Sequence, residues 1–156
     1  MRKDNKRLLN LSFHISMPLS KREILQIYKT TKLNFCNEFI DQEQESKFIM
    51  NTFSVSGIIL RNDVFNNVNG KNCHSELNGV FAPTEKQHFD NHTTINHFVA
   101  DCKSFENYKG VIKESGIGVF NGKVIVHQNA QKIEAFQKNN NILLKKVKPK
   151  FLTSIH

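Results

Sequence analysis

The sequence predicts an all-β fold, and three observations carry that prediction. Apolar residues fall in short runs rich in β-branched and aromatic side chains. Turn-forming pairs separate these runs about every 8–12 residues, the rhythm of short strands of about 4–6 residues. No window between residues 48 and 144 holds an apolar stripe at the 3.6-residue spacing of an amphipathic helix. Sandwich, barrel and β-solenoid all satisfy this pattern. Asn-rich turns favour a solenoid, because Asn side chains can ladder from one coil to the next. Against it stands the lack of any visible repeat of fixed period.

Taken in order, residues 1–23 are polar, basic and irregular, and residues 41–47 form a charged bridge. Strand-like runs begin at Phe48-Ile49-Met50. They continue through Phe53 and Val55, Ile58-Ile59-Leu60, Val64 and Val68, Val124-Ile125-Val126, and Ile142-Leu143-Leu144. Three Asn-Gly pairs, at 69–70, 78–79 and 121–122, are read as turns, since Asn tolerates positive φ and Gly has no Cβ to clash. Pro83, Asp90-Asn91, Lys109-Gly110 and Ser115-Gly116 are read as further breaks. The basic ends, residues 1–20 and 145–156, are expected to be disordered, because like-charged Lys repel and little apolar surface offsets the ordering entropy.

The chain has 156 residues, enough for one core without staples. No apolar run approaches the roughly 20 residues of a membrane helix, and the start, Met-Arg-Lys-Asp, lacks the apolar stretch of an export signal. The formal charge of +8 invites a nucleic-acid reading. The charge is segregated, however: +6 over residues 1–32, +5 over 138–156 and −3 between them. The body therefore offers no phosphate-tracking face, and neither nucleic acid nor membrane is expected as a partner. The three cysteines, Cys36, Cys73 and Cys102, are widely spaced and form no CxxC pair. An odd count suits a reducing cytoplasm, and small buried hydrophobes are the preferred reading.

The segment Gln87–His97 is the densest in chemistry. On a strand His88, Asp90 and His92 share a face and His97 points to the other. Two imidazoles and a carboxylate on one face are candidate metal ligands, with Cys73-His74 as possible additions from a neighbouring strand. Histidines hydrogen-bonded in a polar strand row explain the same pattern, and explain it better. Glu106 and Glu114 read as solvent-facing acids rather than a catalytic pair. The sequence has no GxSxG, P-loop, GxGxxG or zinc-ribbon spacing, so no catalytic residue and no bound cofactor are assigned.

Several segments together resemble the SufB/SufD family of the Suf iron–sulfur cluster assembly system, on its SufD-like side. They are ILQIYK (Ile24–Lys29), NTFSVSGIILRND (Asn51–Asp63), LNGVF (Leu77–Phe81), KQHFDNHTTINH (Lys86–His97), YKGV (Tyr108–Val111), FNGKVIVHQNAQKIEAFQ (Phe120–Gln137) and NNNILL (Asn139–Leu144). The resemblance implies a right-handed parallel β-helix core over 24–144, flanked by a basic segment at 1–23 and a basic tail at 145–156. It implies coil corners at Gly110, Gly118 and Gly122. It also implies a cytoplasmic, non-enzymatic scaffold subunit that pairs with a SufB-like paralogue and a SufC-like ATPase, on which a transient iron–sulfur cluster is built. The family's Cys-Ser-His-Gly segment and its terminal helical regions have no counterpart here, so the chain reads as a truncated member. Self-association through its last coil is expected, and a nonfunctional remnant of a decayed gene or a stand-alone metal-binding protein are the alternatives.

Overall fold

A computed structural model describes residues 8–17, 21–29, 33–144 and 150–155. Among them are eleven strands and no helix: β1 (Leu8–Met17), β2 (Lys21–Lys29), β3 (Leu33–Gln42), β4 (Lys47–Ser56), β5 (Ile59–Val68), β6 (His74–Phe81), β7 (His88–His97), β8 (Lys103–Lys113), β9 (Ile117–Val126), β10 (Glu134–Leu144) and β11 (Lys150–Ile155). Odd-numbered strands form one sheet in the order β1-β3-β5-β7-β9-β11, and even-numbered strands form the other in the order β10-β8-β6-β4-β2. Every pairing is parallel. The chain thus lays one strand in each sheet per coil, and the product is a parallel β-solenoid.

Parallel sheets are usually covered on both faces and read as unbroken apolar runs. Here each sheet packs only its inner face against the other, so the strands alternate. His88–His97 alternates strictly between half-buried and buried positions, and so does His74–Phe81. The inward set includes Phe48, Phe81, Phe89, Ile95, Tyr108 and Phe120, all nearly inaccessible. Each such side chain stabilises the fold by about 1.5–3 kcal/mol.

The coil length drifts. Coil-equivalent positions are 25 residues apart at Leu8↔Leu33 and 33 apart at Ile117↔Lys150. That drift hides the repeat in the sequence. The Asn ladders do form: Asn67 Nδ2 donates to Asp41 Oδ1 at 3.0 Å and Asn96 Nδ2 to Asn67 Oδ1 at 2.9 Å. On the other sheet Asn78 Nδ2 donates to Asn51 Oδ1 at 3.2 Å.

The turns differ from the sequence expectation. Asn69-Gly70, Pro83 and Ser115-Gly116 lie at corners, but Asn78-Gly79, Asp90-Asn91, Lys109-Gly110 and Asn121-Gly122 lie inside β6, β7, β8 and β9. Nor are Gly110, Gly118 and Gly122 corners. They are inward strand positions whose missing Cβ leaves room for Phe81 and Phe120. The corners before β4, β6, β8 and β10 use non-glycine residues at positive φ instead. Glu45, Asn72, Asp101 and Lys132 have φ of 57–61°, each two residues before an even-numbered strand. The hydrogen bonds that hold them run to the next coil, as from Glu45 N to Lys71 O at 2.8 Å and from Asp101 N to Gln131 O at 3.0 Å.

The strands are also longer than the apolar runs suggest, because inward polar residues continue them. Both basic ends carry strands where disorder was expected. β1 pairs with β3 and β11 pairs with β9, so Leu8–Met17 and Lys150–Ile155 extend the solenoid. The remainder of those ends lies outside the described residues.

Candidate functional site

The solenoid interior is partly polar. Inward positions along the strands hold Glu38, Thr52, Asn62, Ser75, Asn91, Thr93, His97, Ser104 and Glu106. Glu38 accepts from Gln26 Nε2 and, at 3.4 Å, from the Cys36 thiol. Glu106 on β8 is buried rather than solvent-facing, which corrects the sequence reading. Burial pushes its carboxyl above the usual range, while the neighbouring Thr93 hydroxyl and Gln137 Nε2, which donates to Glu106 Oε2, partly oppose the shift. Tyr108, two residues on, is held protonated by burial and then by the nearby Glu106 and Glu38 carboxylates. Glu114 lies at a corner with positive φ and ion-pairs with Lys113, so the two acids form no pair.

At one corner a second polar set gathers. His97 Nε2 and Ser104 Oγ are 3.0 Å apart. Burial lowers the His97 pKa to about 4, so the ring is neutral at physiological pH. Gln42, Asn66 and Ser75 form a closed triangle of side-chain hydrogen bonds of 2.5–3.0 Å.

His88, Asp90 and His92 do share the outward face of β7, and His97 does point inward. Asp90 Oδ1 lies 2.7 Å from His92 Nε2. Its other oxygen accepts from Arg61 Nη1 at 3.3 Å, and Arg61 also forks onto Asp63. The row is therefore knitted by an arginine rather than left open. Cys73 and His74 cannot add to it. They precede and begin β6, in the opposite sheet, and Cys73 points inward. Among the described residues no group of three or more His, Cys, Asp and Glu side chains is placed to hold a metal ion.

Outside the second sheet lies a shallow groove of about 510 Å³, floored by stacked Phe105 and Phe136 and flanked by His74, Glu76 and Lys138. Glu76 is held below the usual carboxylate range by its hydrogen bond from His74, assisted by Lys47. No helix among the described residues is long and apolar enough to cross a membrane.

The sequence does not display the interior carboxylate or the contacts between coils. Only the coil register brings Glu106 to Gln137, and it stacks Cys73 against Cys102 although 29 positions separate them. The letters do not mark that register, because its recurring positive-φ corner, two residues before β4, β6, β8 and β10, is filled by the dissimilar Glu45, Asn72, Asp101 and Lys132.

Comparison with known proteins supplies the remaining observation. The family model described as the SUF system FeS cluster assembly SufBD core domain matches residues 22–148. The iron–sulfur cluster assembly protein SufD of Escherichia coli (strain K12) is 29% identical over 111 residues, covering 71% of this chain and 26% of that protein. An iron–sulfur cluster assembly SufBD family protein of Mycobacterium leprae (strain TN) is 26% identical over 100 residues, covering 60% of this chain and 26% of that protein. The chain thus spans about a quarter of the length of the curated relatives it matches.

Proposed function

Because the chain belongs to the SufBD core family of iron–sulfur cluster assembly, we propose that it is a non-enzymatic scaffold component of that process, of the SufD kind. One observation carries this reading: the matched residues, 22–148, span the parallel solenoid from β2 through β10. The nascent cluster is cargo in this scheme. The three cysteines are buried thiols on separate coils, whereas a resident cluster asks for about four thiolate ligands.

The proposed partners are a SufB-like paralogue and, through the complex, a SufC-like ATPase, in the cytoplasm. What supports the first is a sheet edge: β10 is the outermost described strand of its sheet, and Phe136, Ile142, Leu143 and Leu144 on it are exposed. An edge strand pairs readily with another chain. Co-expression with SufB-like and SufC-like proteins, followed by pull-down and size-exclusion chromatography, tests the reading. Co-elution with the SufB-like chain is expected. A clean monomer that captures no such partner would overturn it.

A further inference from the structure

Cys73 and Cys102 occupy the same corner position on successive coils. Their backbones are tied by Lys103 N donating to Cys73 O at 2.9 Å, and the strands that follow pair His74 with Lys103. Ser46 stands in the same column one coil earlier, with His74 N donating to its carbonyl at 3.0 Å. Both thiols turn inward and are 2% and 1% exposed. Cys73 Sγ donates to Glu43 O at 2.9 Å and lies 3.4 Å from Ser46 Oγ. Cys102 Sγ donates to Gly70 O and Ala100 O, both at 3.3 Å.

From this geometry we propose that Cys73 and Cys102 form a two-coordinate site for one soft monovalent cation, copper(I) or silver(I). Rung spacing decides between an ion and a disulfide. Neighbouring strands lie about 4.8 Å apart. Two thiolate–metal bonds of about 2.3 Å, laid end to end, span about 4.6 Å. A disulfide brings its sulfurs to about 2.05 Å and its Cβ atoms to about 3.8 Å, which would draw the two turns together. The bridging ion therefore fits the coil as built.

Ligand number decides the ion. A structural divalent zinc asks for about four donors, and here the corner supplies two sulfurs, one hydroxyl and backbone carbonyls. The hydroxyl and carbonyls are hard donors, so they add little for a soft ion that thiolates select. Binding is a proton exchange with no redox step. Two thiols and one monovalent cation give a dithiolate complex of net charge −1 and release two protons. The cation displaces one proton from each thiol. Entry needs only the surface turn to open, since Asn69, Lys71, Asn72 and Asp101 on the two turns are exposed.

The test uses the reduced chain under anaerobic conditions, titrated with silver(I) and separately with copper(I) against a copper(I) chelator. Expected results are one equivalent retained after desalting, a native mass increased by one ion, and two of three thiols withdrawn from a thiol reagent. Cys73→Ser and Cys102→Ser should each weaken retention more than about a hundredfold, because even outer-shell partners are worth 10- to 100-fold. Cys36→Ser should retain the ion. Circular dichroism melts matching the parent establish that the serine variants are folded. Cys73→Ala and Cys102→Ala provide a second pair should serine disturb the turns. The proposal is overturned if the parent retains no ion, if both single variants retain it, or if the parent forms a 73–102 disulfide in place of binding. None of these outcomes depends on the SufB-like partner.

Discussion

Gly79 on β6 lies in register with Tyr108 on β8, and a Cβ at position 79 would stand 2.1 Å from Tyr108 Cε1. The ring cannot retreat, because it stacks on Phe120 of the facing sheet with centroids 4.4 Å apart. Glycine here is a packing requirement, and the strand continues through it.

Gly79→Ala should therefore destabilise the chain by about 1–3 kcal/mol, the usual cost of overpacking a filled core. In Gly79→Ala/Tyr108→Leu the added methyl meets a smaller neighbour, so the two costs should not add. Urea unfolding of the four chains measures this. Additive costs would mean that the methyl strains something other than the tyrosine.

The same relationship explains how much of the fold was legible. Short apolar runs rich in β-branched and aromatic residues announced strands, and Asn content suited ladders, so the all-β class was readable from particular side chains. The glycines misled, because a glycine opposite a buried aromatic has the same letter as a glycine in a turn. Position 79 faces the ring of Tyr108 on the next coil, whereas position 70 lies at a turn against the backbone of Glu43 and Gln44. The corners misled in the opposite direction. Glu45, Asp101 and Lys132 adopt positive φ, a conformation those residue types do not advertise. Glu106 looked solvent-facing for a related reason: the groups it meets inside the solenoid, Thr93 and Gln137, sit on other strands.

His97 makes stability pH-dependent in a defined window. Above about pH 6.5 the ring is neutral in both folded and unfolded chains and costs nothing. As pH falls below that value the unfolded chain gains a proton, while the folded chain resists until about pH 4. Unfolding is therefore favoured progressively between those values, by about 3 kcal/mol in total. His97→Gln removes the titrating group, and its stability should fall less steeply than the parent's between pH 6.5 and 4. Parallel curves would mean that His97 is protonated within the fold.

Glu106 acts with the opposite sign. Its folded pKa lies above the unfolded value, so the stability tied to its protonated form is present at low pH and lost as pH rises through the folded pKa. Glu106→Gln keeps an acceptor for Gln137 Nε2 without the cost of a buried charge. The variant should be more stable than the parent at pH 8, and the gap should close below about pH 4.5. A variant less stable than the parent at pH 8 would show that the hydrogen bonds to the ionised carboxylate outweigh its burial.

The outer edge of β10 should make the 156-residue chain self-associate at high concentration. Ile142 is 60% exposed, Leu143 51% and Leu144 46%. Leu143 continues the inward row above Ile112, with which it is in register. A second chain can cover these side chains while pairing its own edge strand with β10. Repulsion opposes this, since residues 138–156 carry five Lys and no acid. Salt screens that repulsion over a Debye length of about 8 Å at physiological strength. Raising salt should therefore strengthen association, the reverse of an ion-pair interface. Leu143→Lys places a charge in the apolar row and should weaken association at least about tenfold, equivalent to about 1.4 kcal/mol. Because position 143 is half exposed, the melting temperature should change little. Sedimentation equilibrium of both chains at two salt concentrations reads all three effects. Association that weakens with salt, or that survives Leu143→Lys unchanged, places the contact elsewhere on the molecule.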